Sequence, residues 1–202
     1  MNSIARFISV VFHPLLVTTY LFIILSLFLP EILYPILPSK LFIGLMLLMT
    51  FVLPSLNFIL FKITGTIKDI QMFNRKDRIM PFIFVTILYV VVTYMFFKNY
   101  HVPNVVKLME IITIMVIVST VITFFYKISV HSVAICGLIG ILLALNNASD
   151  DGMLVYPTIG VTLVAGVVMS SRLQLDAHTP REVAYGGMLG FMIGLGGVMI
   201  LF

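Results

Sequence analysis

Residues 153–202 read MLVYPTIGVTLVAGVVMSSRLQLDAHTPREVAYGGMLGFMIGLGGVMILF, two apolar runs at 153–171 and 184–202 around one polar turn. Each run is close to the roughly 20 residues a helix needs to cross a hydrocarbon core, given tilt and local thinning. The same pattern continues upstream, with further apolar runs at about 14–30, 41–61, 80–97, 106–126 and 130–145. The expected fold class is all-α: a polytopic integral membrane helix bundle of about six to seven transmembrane helices. Seven crossings and short loops use nearly the whole chain, so 1–202 reads as a single transmembrane domain.

Composition agrees. Of 202 residues, 61% are hydrophobic and 10% charged, against roughly 25% charged in an average soluble domain. Cys136 stands alone inside an apolar run, which excludes an internal disulfide or a cysteine-based metal cluster and leaves packing as its role. The net charge of +4 comes from bases in short loops between spans, which points to anionic lipid and away from nucleic acid. Arg6 precedes a long apolar run with no small-residue cleavage site after it, so the N-terminal segment is expected to be retained. Met1 to His13 forms a short interfacial helix with Pro14 opening the first span, or else the first helix runs from Ile4 with a kink at Pro14. Gly186, Gly190 and Gly194 put a small-residue stripe on the last span, suited to tight packing within the chain or to a homodimer seam.

With seven crossings, the N-terminus, loop 62–79, the junction at 127–129 and loop 171–183 share one face. That face collects Arg6, Lys62, Lys68, Arg75, Lys76, Arg78, Lys127, Arg172 and Arg181, leaving Lys40, Lys98 and Lys107 opposite. The positive-inside rule would make the basic face cytoplasmic, but bases held for an anion site carry no topological information, so sidedness stays open.

Three clusters on this face precede the start of a span, where unpaired N–H groups and the positive end of the helix dipole favour an anion. The first is Asn74-Arg75-Lys76-Asp77-Arg78, with Pro81 expected to open the next span; an ordinary basic loop would look the same. The second is Lys127-Ile128-Ser129-Val130-His131, with Ser129 as a helix cap and His131 on the first turn. A histidine within an apolar span is either hydrogen-bonded packing or function. The third runs from Ser170 to Glu182 and includes Arg172, Asp176 and His178. Thr179, Pro180 and Glu182 read as a capping box, which accounts for Glu182 but not for His178. His13, just before Pro14, is a further candidate, as a cap or as an auxiliary donor.

At these residues the chain resembles the type-2 phosphatidic acid phosphatase superfamily of membrane lipid phosphatases, whose motifs are Lys-x6-Arg-Pro, Pro-Ser-Gly-His and Ser-Arg-x5-His-x3-Asp. Ser171-Arg172, His178 and Glu182 match the third, with Glu for Asp. Ser129 and His131 match part of the second, with Ile128 for Pro and Val130 for Gly. Lys68 and Arg75 have the spacing of the first without its proline. The resemblance implies that His178 is a nucleophile forming a phosphohistidine, that Glu182 orients it, and that His131 protonates the leaving alkoxide. It also implies that Arg172, Ser129, Arg75, Arg78 and Lys76 bind phosphate, with Lys127 and Asp176 as possible auxiliaries. It implies no metal and no cofactor, a substrate such as a polyprenyl pyrophosphate, phosphatidic acid or lipid A phosphate, and a bacterial inner membrane of the Bacteroidetes type. Two other functions fit the sequence: a non-enzymatic protein binding lipid head groups or a partner subunit, and a transporter, for which Pro54 and Asn57 would mark a broken helix.

Overall fold

The computed structural model describes residues 2–34, 40–65, 75–99, 102–149 and 152–202, and among them every regular element is helical. In chain order these are α1 (Asn2–Val11), α2 (Pro14–Phe28), α3 (Lys40–Leu47), α4 (Leu53–Ile63), α5 (Arg75–Asn99), α6 (Pro103–Thr123), α7 (Val130–Ala148), α8 (Val155–Gln174) and α9 (Pro180–Leu201). A π-helical turn, Leu48–Val52, joins α3 and α4 into one stretch, Lys40–Ile63. By length and apolarity 6 helices can cross a membrane, and the pair α1 and α2, bent by 57°, makes a seventh if it is one broken span. The all-α polytopic bundle read from the sequence is therefore the observed fold class.

Local chemistry sets the helix starts. Pro14, Pro103 and Pro180 open α2, α6 and α9, where a missing N–H costs nothing. Caps sit where the sequence put them: Ser132 N donates to Ser129 Oγ at 3.4 Å, and Leu15 N to His13 Nδ1 at 3.4 Å. In the Thr179 box, Glu182 N donates to Thr179 Oγ1 and Thr179 N to Glu182 Oε2, each at 3.3 Å.

Pro81 is different. It does not open a span, because α5 already runs from Arg75 with Pro81 inside it. One ladder bond to the Asp77 carbonyl is lost, while the Asp77 carboxylate in the first turn is favoured by the positive end of the helix dipole. The consequence is that Arg78 stands on a helix face and not in a preceding loop.

The other irregularity also traces to a proline. Pro54 has no N–H to return to the Thr50 carbonyl, and the ladder widens into the π turn just before it. The Tyr89 hydroxyl comes within 3.5 Å of that carbonyl and 3.1 Å of Thr18 Oγ1, tying α5 to the π turn and to α2. This gives Pro54 a packing role in a continuous stretch.

The tightest packing is between α7 and α9. A Cβ on Gly186 would lie 2.7 Å from the Ser129 carbonyl, and one on Gly190 or Gly194 would run into the carbonyls of Val133 or Gly137. The glycine stripe is thus occupied inside the chain, at backbone contact. It brings the starts of the two helices together, where Ser129 N donates to the Glu182 carbonyl at 3.2 Å. Pairs of threonine hydroxyls, Thr86 with Thr120 and Thr93 with Thr113, each 2.8 Å apart, join α5 to α6. The core between them holds Leu21, Phe22, Leu25, Leu108, Met109 and Leu142, while Leu60, Tyr94, Met192 and Ile200 point outward and exposed.

Candidate functional site

The starts of α2, α5 and α7, the end of α8 and the turn before α9 meet at one end of the bundle, with α1 laid across α8. His13, Arg78, His131, Arg172 and His178 from these elements all line a single cavity of about 480 Å³, together with Arg6 and Ser9 of α1. The convergence expected from the three clusters is therefore present for these residues.

His178 owes its position to the reversal after α8. Asp176 adopts φ 49°, in the left-handed region, which suits a short polar side chain. Asp176 N donates to the Leu173 carbonyl and Ala177 N to the Arg172 carbonyl, so the turn folds back over the last turn of α8. Next to it the capping box fixes the first turn of α9, and Glu182, one turn beyond His178, approaches its Nδ1 at 2.7 Å. A carboxylate can only accept, so Nδ1 carries the hydrogen and Nε2 keeps the lone pair. Burial, and then the charges of Arg78, Arg172 and Lys127, push His178 down from 6.5 to about 3. The ring is accordingly neutral near pH 7, the state a nucleophilic imidazole requires.

Ser9 holds the other side of the site together. Arg172 Nη1 donates to Ser9 Oγ at 3.1 Å, and Ser9 Oγ also lies 3.3 Å from Ser171 Oγ. The Ser9 carbonyl accepts from His131 Nε2 at 3.1 Å. One residue thus faces both the guanidinium and the imidazole. His13 adds an edge-on ring contact to His131, with centroids 5.8 Å apart, so it both caps α2 and borders the site. Among the described residues Arg172 Nε is buried without a hydrogen-bond partner, and Arg78 is only 5% exposed. Among the described residues the cations here, Arg78 and Arg172, outnumber the neighbouring acid, Glu182. In a poorly solvated mouth such an excess is stabilised by an anion that brings acceptors for several donors at once.

Not every expected residue is delivered to this mouth. Ser129 is 0% exposed; its oxygen accepts from Ser132 N and lies 2.9 Å from Ser132 Oγ, so its hydroxyl serves the α7 cap. Lys127 and Asp176 border a separate outer recess that His178 and Glu182 share. Burial and the neighbouring Arg78 lower the Lys127 ammonium from its ordinary value, opposed by Glu182. Arg75 and Lys76 lie on the first turn of α5, and their side chains, like all of Lys68 and Asn74, lie outside the described residues. Among the described residues no three His, Cys, Asp or Glu gather as metal ligands.

Sequence reasoning missed Ser9 and Tyr89. A serine in an apolar-polar helix carries no local signal, and the partners of Ser9 stand 122 and more positions away. No family model, curated protein or solved structure matches the chain.

Proposed function

We propose that this chain is a metal-independent membrane phosphatase or phosphotransferase acting on a lipid phosphate through a phosphohistidine at His178, in a divergent branch of the type-2 phosphatidic acid phosphatase superfamily. One observation supports it above the others: a neutral His178, oriented through Nδ1 by Glu182, stands at the same cavity mouth as Arg78, Arg172 and His131.

The chemistry follows from those positions. His178 Nε2 attacks phosphorus as the ester or anhydride P–O bond breaks, and the leaving oxygen takes a proton from His131 in its protonated, imidazolium form, which returns to the neutral ring. The phosphorylated ring is cationic, and the Glu182 carboxylate beside Nδ1 stabilises it. Water then attacks phosphorus, giving up its proton to His131, and the P–N bond breaks to release phosphate and restore His178; an alcohol in place of water gives phosphotransfer. Arg78 and Arg172 hold the non-bridging oxygens, where fixed cations act most strongly on charge that develops in the transition state. The Ser9 carbonyl accepts from His131 Nε2 at 3.1 Å, so α1 orients the ring cast as the acid.

The test is phosphate release by the purified full-length chain over a panel of lipid phosphates with chelator present, comparing wild type with His178→Ala of matched thermal stability. Turnover abolished by the substitution is expected. Absence of turnover on every lipid between about pH 5 and 9 overturns the enzymatic reading.

A second reading has an observation of its own. Ser129, which the resemblance casts as a phosphate ligand, is fully buried in a cap, and Val130 stands where close backbone approach would need glycine. Both features favour a protein that binds lipid head groups or a partner subunit on the same scaffold. That protein would bind a lipid phosphate and release none of it.

A further inference from the structure

The cavity does not end at its charged mouth. From Arg78 the lining continues along α5 through Val85 to Tyr89, a rise of about 16 Å at the usual pitch of a helix. From His131 it continues along α7 to Ile141, about 15 Å. Both reach about halfway through a hydrocarbon core about 30 Å thick. The deep walls are apolar, with Leu21, Ile112, Met115 and Leu138 among them.

The hydroxyls on these walls are engaged with one another or with the backbone. Tyr89 meets Thr18, Thr120 meets Thr86, and Ser119 donates to the Met115 carbonyl at 2.7 Å. They ask nothing of an occupant, so an apolar chain leaves no polar group stranded. The volume of about 480 Å³ has to serve both the charged mouth and the apolar passage behind it, which leaves room for one alkyl chain beyond the phosphate.

Resting on the proposed function, we infer that the site selects amphiphiles with one hydrocarbon chain, which is threaded into the bundle between α2, α5, α6 and α7 while its phosphate meets Arg78, Arg172 and His178. The tail is read inside the protein, not against its outer surface. Two-chain lipids are disfavoured because the second chain has no place in the cavity. Ala134 and Val116, small residues on facing helices α7 and α6, keep the passage open and set how long a chain can enter.

The test uses the full chain in phosphatidylcholine nanodiscs, with binding of hexadecyl phosphate, butyl phosphate and two-chain phosphatidic acid measured against empty discs. Hexadecyl phosphate is expected to bind at least about tenfold tighter than phosphatidic acid. Ala134→Phe and Val116→Phe are each expected to weaken hexadecyl phosphate by at least about tenfold and leave butyl phosphate unchanged. A variant that loses butyl phosphate as well has lost its fold, and the other variant then decides. Phosphatidic acid binding as tightly as hexadecyl phosphate, or folded variants that hold hexadecyl phosphate like wild type, overturns the inference. Chain selectivity without turnover would sink the phosphatase reading and leave the tail site standing; turnover without chain selectivity does the reverse.

Discussion

Glu182 is assigned two tasks, and the structure allows them to be separated. Its Oε2 accepts from Thr179 N at 3.3 Å to close the capping box and meets His178 Nδ1 at 2.7 Å. Glu182→Gln keeps the size and an acceptor oxygen but removes the charge. A unit charge pair about 4 Å apart is worth about 4 kcal/mol at an effective dielectric of about 20. With the His178 ring about half charged in the transition state, about 2 kcal/mol is lost, or about thirtyfold in kcat. On the proposed function KM should hardly move, because Arg78 and Arg172, and not Glu182, would hold the phosphate oxygens. The matched control is Thr179→Ala, which removes the acceptor for Glu182 N and costs about 1 kcal/mol of stability, while leaving the carboxylate beside His178. Steady-state kinetics and thermal unfolding of both variants are the assay. If Glu182→Gln lowers only the unfolding temperature and keeps wild-type kcat, Glu182 is a capping residue and nothing more.

Three further outcomes follow from the packing and the charges. Gly190→Ala drives a methyl group into the Val133 carbonyl and should cost about 2 kcal/mol, whereas Gly196→Ala, with open space around its Cβ, should gain up to about 1 kcal/mol from helix propensity; thermal unfolding of the two reads the difference. Tyr89→Phe removes the hydroxyl shared by Thr18 and the Thr50 carbonyl and should cost about 1 kcal/mol, which thermal unfolding checks. His178, lowered to about 3 in the folded chain, takes up a proton in the unfolded chain first. As pH falls from 6.5 toward 3 the unfolded state therefore binds more protons, and stability should drop by about 1.4 kcal/mol per unit from this group. His178→Ala should flatten that part of a stability-against-pH curve.

Legibility in the sequence followed the range of the interaction. The Thr179 box, the Ser129 cap and the spacing of His178 and Glu182 are set within one helical turn, and the structure has them as read. The glycine stripe also announced close packing, although only the fold shows that α7 is its partner. Pro81 misled because a proline that opens a helix and one tolerated inside it look alike locally; α5 in fact begins at Arg75, with Asp77 in its first turn. Ser129 carried two compatible roles, cap and phosphate ligand, and burial assigned its hydroxyl to the first. Ser9 could not be found at all, since its meaning lies in Arg172, Ser171 and His131, brought beside it only when α1 lies across α8. The apolar depth of the cavity was illegible for the same reason: its walls are ordinary span residues from four helices.

The central claim is that His178 is the nucleophile. Wild-type protein mixed with a lipid phosphate labelled at phosphorus and quenched in alkali, where a phosphoramidate survives, should retain label on the peptide containing His178. His178→Ala should retain none while still binding the lipid. Lipid turnover by wild type with no label on that peptide at any quench time, or turnover that persists in His178→Ala, would contradict the account.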